Sequence, residues 1–600
     1  MVPYEAPVQD MRFVLEDVVD LASIHAMPGY EDATPDMVAA VLEEAAKLAA
    51  NVLAPLNDVG DKQHSKWSET DHSVTTPEGF KSAYAEYRDN GWNAVPFEPE
   101  WGGQGLPWSV AFAVQEMWQA SNMSFGLCPL LNQGCVELLQ SHGAEDQQAM
   151  YLPKLISGEW TGTMNLTEPQ AGSDLAAVRC RAERDESLGE RAYKIDGQKI
   201  FITYGEHDLA SNIVHMVLAR TPTAPEGVKG ISLFIVPKFL PTADGAPGEK
   251  NDLECVSIEH KMGINASPTC TMQFGENGNF VGWLVGEENQ GLRYMFTMMN
   301  NARLSVGLQG VAIGDRAYQQ ALAYAKDRVQ SKSVANPKGD AARIIEHGDV
   351  RRMLLSMKAR VEASRALTYY AAAQLDVSKK HPDEATRLRA QSTVDLLTPV
   401  VKAWSTDGGV EVASLGVQVH GGMGYVEETG AAQHWRDARI APIYEGTNGI
   451  QAADLAFRKT VRDGGAATAA FVAWSREIVS ALEATGDASL LRIRARLADG
   501  LEHLETAAKW VVETGKSDAP AVAASSAVYL ELFGTVAGGV LMAKSALAAA
   551  NKKSGADAFC DAKIATAKFY ADHVLPKAGG LAIAVTEGHD VIVGLDEEQF

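Results

Sequence analysis

Apolar residues recur with a helical period at both ends of this chain and with a strand-like pattern in between, and that double switch restricts the folds open to it. Thr34-Pro35-Asp36 places a cap, a proline and an acid in helix-starting order. Behind it, Val38, Val41, Leu42, Ala45, Leu48, Ala49, Val52 and Leu53 keep the spacing of one helix face. Residues 78–90, 110–121 and 134–142 also read as helices, with a glycine-rich turn at Trp101 to Gly105 between them. After Glu159 the pattern changes. Asp196-Gly197 lies between β-prone runs in 194–202, which predicts a hairpin. Residues 213–219, 231–236 and 270–274 read as strands, punctuated by glycine and proline as in a small barrel or sandwich. Helices return near Gly291, over 301–326, 349–376 and 384–414, with an interruption expected at Pro399. Alanine-rich helices over 490–514 and 521–550, separated by Pro520, complete the pattern. Parallel βαβ alternation, G-x-G-x-x-G and the P-loop are missing, so a Rossmann or NTPase reading has no support.

Charge narrows the partners. The net charge is −24, which argues against nucleic acid or an anionic membrane as the main partner. An anionic ligand stays possible, because a local arginine or a helix terminus binds phosphate on an acidic protein. The six cysteines form no C-x-x-C pair, which favours reduced thiols and a cytoplasmic location. Glu5, Asp10, Glu16 and Asp17 interrupt the N-terminal stretch, unlike a signal peptide. The longest apolar run, 532–543, is too short to span a bilayer, so no integral membrane segment is expected. There is no H-E-x-x-H and no G-x-S-x-G, so neither a zinc site nor a serine nucleophile is indicated.

The chemistry is expected in Asp437 to Gln451, where Glu445 stands between Ile443-Tyr444 and Gly446. A carboxylate among apolar neighbours has a raised pKa and becomes a useful base near neutral pH. Gly446 permits close backbone approach to a ligand. Thr447 or Asn448 is a candidate cap for a helix starting near Ile450, with Gln451 completing a capping box. The local alternative is plain: Glu445 ends one helix and Thr447 starts the next.

Other segments bear on a cofactor. Leu166-Thr167-Glu168-Pro169-Gln-Ala-Gly172-Ser173-Asp174, preceded by Met164, makes a rigid turn offering N–H groups and hydroxyls to a planar polar ligand, or is an acidic surface turn. Phe201-Ile202-Thr203 follows in a strand-like stretch. Arg328-Val-Gln330 precedes an insertion-like loop at 336–340, and Gln418-Val-His-Gly421-Gly422-Met-Gly424-Tyr425 reads locally as a glycine-capped helix end.

Together these segments resemble the acyl-CoA dehydrogenase family. The resemblance rests on I-Y-E-G-T-x-x-I-Q around Glu445, T-E-P-x-A-G-S-D at 167–174, a Phe-Ile-Thr version of W-I-T at 201–203, R-x-Q at Arg328, and Q-x-x-G-G-x-G-Y at Gln418. It implies an α+β fold: an N-terminal α-helical domain (34–160, after an arm at 1–33), a central small β-barrel domain (161–288), a C-terminal helical bundle (289–462) and an additional C-terminal α-helical domain (463–600). That last domain, and the Y-E-A-P-x-x-D-M-R-F-V-L arm, resemble an extended bacterial branch of the family.

The resemblance also implies roles. Glu445 would remove the α-proton of an acyl-CoA thioester, with its own N–H polarising the carbonyl. FAD would contact Met164, Leu166, Thr167, Gly172, Ser173, Phe201, Ile202, Thr203 and Thr447. Arg328, Gln418 and Gly422 would reach the FAD of a partner subunit. Ser173, Arg303, Tyr444 and Gly446 would border the substrate. Glu168, a tempting second base, is expected to shape its turn. Phe201 replaces a tryptophan, which keeps the aromatic plane but loses the indole N–H and any hydrogen bond made by it; Gly449 replaces a polar residue, and the contact that side chain makes in the family does not transfer. Within the branch, a straight-chain fatty acyl-CoA is the expected substrate, with 3-methylmercaptopropionyl-CoA as the alternative. The expected electron acceptor is an electron-transfer flavoprotein, and the expected assembly a homodimer or dimer of dimers. An oxidase and a catalytically silent binding or assembly subunit are the rivals.

Overall fold

A computed structural model describes residues 3–600. The chain forms two compact units: residues 3–46, 107–120 and 303–600 make a helical unit, and residues 47–106 and 121–302 a sheet-bearing unit.

The sheet-bearing unit holds eight linked strands: β1 Trp160–Asn165, β2 Arg181–Arg184, β3 Ala192–Thr203, β4 Asn212–Ala219, β5 Ser232–Pro237, β6 Leu253–Ile258, β7 Thr269–Phe274 and β8 Gly282–Leu284. Their order is β6-β7-β3-β8-β5-β4-β1, with β2 also on β3. The expected barrel thus takes the form of an open ladder whose outer strands do not pair. All pairings are antiparallel except β1 with β4. Its interior is one cluster including Tyr193, Ile195, Ile202, Phe234, Val236, Met272 and Phe274.

The hairpin expected at Asp196-Gly197 does not form. Both residues lie inside the twelve-residue strand β3. Asp196 pairs with Arg181 of β2, while Gly197 pairs with Phe274 of β7, so the strand changes partner there instead of turning. Gly197 has φ +142°, and a Cβ on it would meet Cys180 Sγ at 2.4 Å. The glycine serves a close approach, which local sequence does not separate from a turn. The helix expected over 134–142 is Met123–His142: Asn122 Oδ1 caps it by accepting from Phe125 N at 3.1 Å, and Pro129 sits inside it.

The helical unit is built on Gly348–Lys380 and Glu384–His420. The second runs through Pro399 without the expected break, because Leu396, Leu397, Val400 and Val401 are all buried around it. Helices Ala466–Ala484, Ala488–Thr514, Ala519–Lys552 and Ala558–His573 follow. Ala519–Lys552 is long and apolar enough to cross a membrane, but 83% of its most apolar window is buried against protein. Gly534 and Gly538 on that helix receive the Trp404 ring, and the Arg360 guanidinium lies 3.8 Å from the ring centroid.

A buried ionic network joins four distant stretches of this unit. Lys563 Nζ contacts Asp10 Oδ1 at 2.5 Å and Glu362 Oε2 at 2.8 Å. Arg365 contacts Asp10 Oδ2 at 2.7 Å and Glu116 Oε1 at 2.6 Å. The N-terminal arm therefore acts as a clasp, with Asp10 held by two buried cations.

Candidate active site

Glu445 lies on a strained turn of the helical unit. After helix Ala431–Ala438 the chain tightens, with Ile443 N and Tyr444 N both donating to Ile440 O. Glu445 then takes φ +57° and Gly446 φ +82°. Glutamate rarely adopts the left-handed region, and such strain persists where surrounding contacts impose it. Those contacts come from Gln451, whose Nε2 donates to the carbonyls of Glu445 (3.3 Å) and Gly446 (3.2 Å). The main-chain N–H groups of Glu445, Gly446 and Thr447 donate to no protein acceptor among the described residues. The turn thus presents free donors beside a carboxylate.

The capping expected here is resolved in favour of Thr447, whose Oγ1 accepts from Ile450 N at 3.2 Å to start helix Asn448–Ala453. Gln451 does not form the expected capping box with Asn448; it is spent on the turn, and Asn448 points elsewhere. Asn448 Nδ2 donates to Asp407 Oδ1 at 2.8 Å, and its Oδ1 accepts from Lys402 Nζ at 2.9 Å.

Charged and polar groups surround Glu445. A Cβ on Gly446 would stand 3.6 Å from Arg303 Nη2, so the guanidinium flanks the turn. Arg303 Nη1 is 3.7 Å from Asp454 Oδ2, and its buried Nε has no hydrogen-bond partner among the described residues. Tyr444 donates its hydroxyl to Gln309 Oε1, and Gln309 Nε2 donates to Gln119 Oε1 at 3.1 Å. Burial raises the Glu445 carboxyl to about 7, although Arg303 and Lys402 pull it down. Burial lowers Lys402 to about 7, against the opposing pull of Glu445 and Asp407. The rise expected at Glu445 is therefore present, but its source is tertiary: the adjacent Ile443 is itself 48% exposed.

The sheet-bearing unit carries the second group of expected residues. β1 ends in the loop containing Leu166, Thr167, Gly172 and Ser173. Glu168 is buried and saturated within it. Its carboxylate accepts from Lys199 Nζ at 2.7 Å, Arg179 N at 2.7 Å, Gln170 Nε2 at 2.6 Å and Cys180 N at 3.1 Å. Burial alone would raise this carboxyl; Lys199 and the backbone donors outweigh it and hold it below the ordinary value. Such a group shapes a loop and has no lone pair to spare for a substrate proton.

Ile200 N donates to Thr167 O at 2.9 Å, tying this loop to the strand that carries Phe201, Ile202 and Thr203. Phe201 is left-handed at φ +59° and 58% exposed, although Ile202 beside it is buried. A phenylalanine held out of a strand in a strained conformation fits the face of a flat cofactor. Met164, Leu166, Thr167 and Thr203 are half-buried, and Gly172 and Ser173 exposed, which leaves their polar groups accessible. These residues fit an isoalloxazine ring.

Arg328, Gln418 and Gly422 are exposed and share no hydrogen bond with the Glu445 turn among the described residues. Arg328 leads a hairpin, 329–332 with 341–343, whose tip is the insertion noted in the sequence. Gln418 and Gly422 flank Gly421, which ends its helix at φ +61°. The structure thus assembles Arg303, Tyr444, Glu445, Gly446 and Thr447 in one unit, and the 164–174 loop with 201–203 in the other. Sequence reasoning missed Lys402, Gln309 and Lys199. For Lys402 the one available signal was a lone lysine in the apolar run Val400-Val401-Lys402-Ala403-Trp404.

The strained, half-buried glutamate turn of the helical unit suits a proton-abstracting base, and the 164–174 loop of the sheet-bearing unit suits a flat cofactor. Family models agree along the chain: acyl-CoA dehydrogenase N-terminal domain over 37–159, middle domain over 163–276, C-terminal domain over 289–459, and acetyl-CoA dehydrogenase C-terminal like over 466–596. The chain belongs to the acyl-CoA dehydrogenase family. It is 47% identical to the 3-methylmercaptopropionyl-CoA dehydrogenase of Ruegeria pomeroyi, covering 98% of this chain and 99% of that protein. It is 36% identical to a butyryl-CoA dehydrogenase of Syntrophomonas wolfei, covering 100% and 99%. Among solved structures, Caenorhabditis elegans ACDH-11 in complex with C11-CoA shares the fold at TM-score 0.77 and 19% identity, over 99% of this chain and 96% of that one.

Proposed function

We propose that this acyl-CoA dehydrogenase oxidises a short acyl-CoA to its trans-2-enoyl thioester, with 3-methylmercaptopropionyl-CoA as the leading substrate. The observation that carries the chemistry is the Glu445 turn: a left-handed carboxylate raised to about 7, next to main-chain donors with no protein acceptor among the described residues. The substrate reading leans on the 47% full-length identity to the Ruegeria pomeroyi enzyme. A straight-chain acyl-CoA is the second reading, favoured by the full-length match to the butyryl-CoA dehydrogenase.

In this mechanism Glu445 takes the proton from the α-carbon. Its N–H would donate a hydrogen bond to the thioester oxygen, which must carry negative charge as the proton leaves, and a hydroxyl of the cofactor would supply a second donor. FAD, when bound, supplies the acceptor for the hydride that departs from the β-carbon. Leu166, Thr167, Ser173 and Thr203 would hold its ring, with Phe201 against one face; Thr447 is a further candidate contact by family resemblance. Arg328, Gln418 and Gly422 would serve the FAD of a second copy, which makes the proposed assembly a homodimer. An electron-transfer flavoprotein is the proposed acceptor and the cytoplasm the proposed location.

The test is anaerobic bleaching of the flavin by a panel of thioesters. 3-Methylmercaptopropionyl-CoA should react fastest; a preference for butyryl-CoA or longer straight chains would replace the leading substrate with the second reading. Glu445→Gln should stay yellow and lose bleaching by several orders of magnitude. A Glu445→Gln variant that bleaches at the parental rate removes Glu445 from its role.

A further inference from the structure

Lys402 is buried to 0% exposure in the middle of helix Glu384–His420, between Val401 and Ala403. Among the described residues its ammonium has one hydrogen-bond partner, Asn448 Oδ1 at 2.9 Å, and no carboxylate within ion-pair distance. An ammonium has three donors, and burying one with a single neutral acceptor is costly. A leucine or methionine would fill the same space without that cost.

The amide that receives it is oriented by chemistry. Asn448 Nδ2 donates to Asp407 Oδ1 at 2.8 Å, Thr406 Oγ1 at 3.1 Å and Ala403 O at 3.2 Å. A carboxylate cannot donate and an ammonium cannot accept, so the Oδ1 must face Lys402. Asn448 is the first residue of the helix that follows the Glu445 turn. The link therefore runs from a rigid 37-residue helix to the segment carrying the base.

The charges facing this group are few. Lys402 faces Glu445, Asp407 and Arg303. Glu445 faces Arg303 and Lys402, with the Tyr444 hydroxyl beside it. Asp407, itself exposed, faces Arg360, Lys402 and Glu531. Arg303 acts on Glu445 first and also meets Asp454 at 3.7 Å. Lys402 is the second cation acting on Glu445 and, among the described residues, has no carboxylate in contact.

We propose that Lys402, held by Asn448 and Asp407, is a positioning residue that keeps Glu445 in its carboxylate form and fixes the turn on which it sits. This rests on the reading of Glu445 as the α-proton base. It accounts for an otherwise unfavourable buried charge: the same burial that makes Glu445 basic would leave it protonated at neutral pH without a nearby cation.

The experiment uses the FAD-loaded enzyme and the variant Lys402→Met, which keeps the volume and removes the charge. Two readouts are taken. One is the pH profile of flavin bleaching; the other is a difference-infrared titration of the Glu445 carboxyl in the resting protein, identified by its loss in Glu445→Gln. The expected result is a midpoint moved upward by on the order of one pH unit. Bleaching should then fall about fivefold at pH 7 and approach the parental rate in alkali. An unmoved midpoint, or a rate loss equal at every pH, overturns the proposal, because a merely structural lysine would act that way.

Should Lys402→Met fail to fold, Asp407→Asn decides. Removing that exposed carboxylate takes away the group that favours the charged Lys402 and orients the Asn448 amide, so it should raise the Glu445 midpoint, and an unmoved or lowered midpoint overturns the proposal. Failure of the underlying reading looks different: Glu445→Gln would itself keep bleaching, whatever Lys402→Met does.

Discussion

Lys199→Met should unpin the loop proposed to hold the flavin ring, and the size of the effect follows from the contacts. Lys199 and Glu168 have side chains 0% and 3% exposed and meet at 2.7 Å; Lys199 Nζ also donates to Leu166 O at 3.0 Å. Methionine fills the space but leaves a buried carboxylate without its cation, which costs about 3–5 kcal/mol. The remaining donors from Arg179, Gln170 and Cys180 reduce this. Proton uptake by Glu168 sets a ceiling on the charge penalty. Starting from an ordinary value of about 4.3, that uptake costs about 3.7 kcal/mol at pH 7 and about 1 kcal/mol at pH 5.

In the parent, Glu168 is held below its ordinary value, so its contribution is present above that value and is lost as pH falls. In Lys199→Met the carboxyl is raised instead, and acid relieves it. The gap between variant and parent must therefore narrow from pH 7 to pH 5. At roughly 2–4 °C per kcal/mol, the melting temperature should drop by about 6–15 °C at pH 7 and by clearly less at pH 5. Differential scanning fluorimetry of the FAD-loaded proteins measures this, with retained flavin absorbance reporting the loop. A drop under about 2 °C at pH 7, or a larger drop at pH 5, refutes the reasoning.

Three further outcomes are expected. The pH profile of kcat/KM should rise through about 7 and level off above it, because the base is active only when deprotonated; a limb at the ordinary glutamate value would contradict the raised carboxyl. Lys563→Met leaves Asp10 and Glu362 buried without their shared cation and should cost about 3–5 kcal/mol, read as a lower melting temperature and faster proteolysis of the N-terminal arm. Gly534→Ala puts a Cβ 2.2 Å from Trp404 Cγ, with Arg360 against the ring, and should cost about 1–3 kcal/mol by overpacking; an unchanged melting temperature would show that the ring has room to move.

The sequence alone determined the order of elements and the identity of the chemical groups. Helical and strand periods depend only on which residues repeat, so the helix-strand-helix order was legible, as was the long C-terminal continuation. Glu445 and the 164–174 loop were legible because their chemistry lives in short contiguous motifs. The failures came where a residue's role depends on something distant. Asp196-Gly197 has the local chemistry of a turn, and only Cys180 and the partner strands make it part of a straight strand. Pro399 stays in a helix because its surroundings are buried. Asn448 was a fair cap by sequence, yet Lys402 and Asp407, more than forty positions earlier, claim its side chain. The raised carboxyl at Glu445 has the same origin: burial and cations brought by other helices set it, and desolvation and Coulomb interaction act through space, where sequence distance has no bearing.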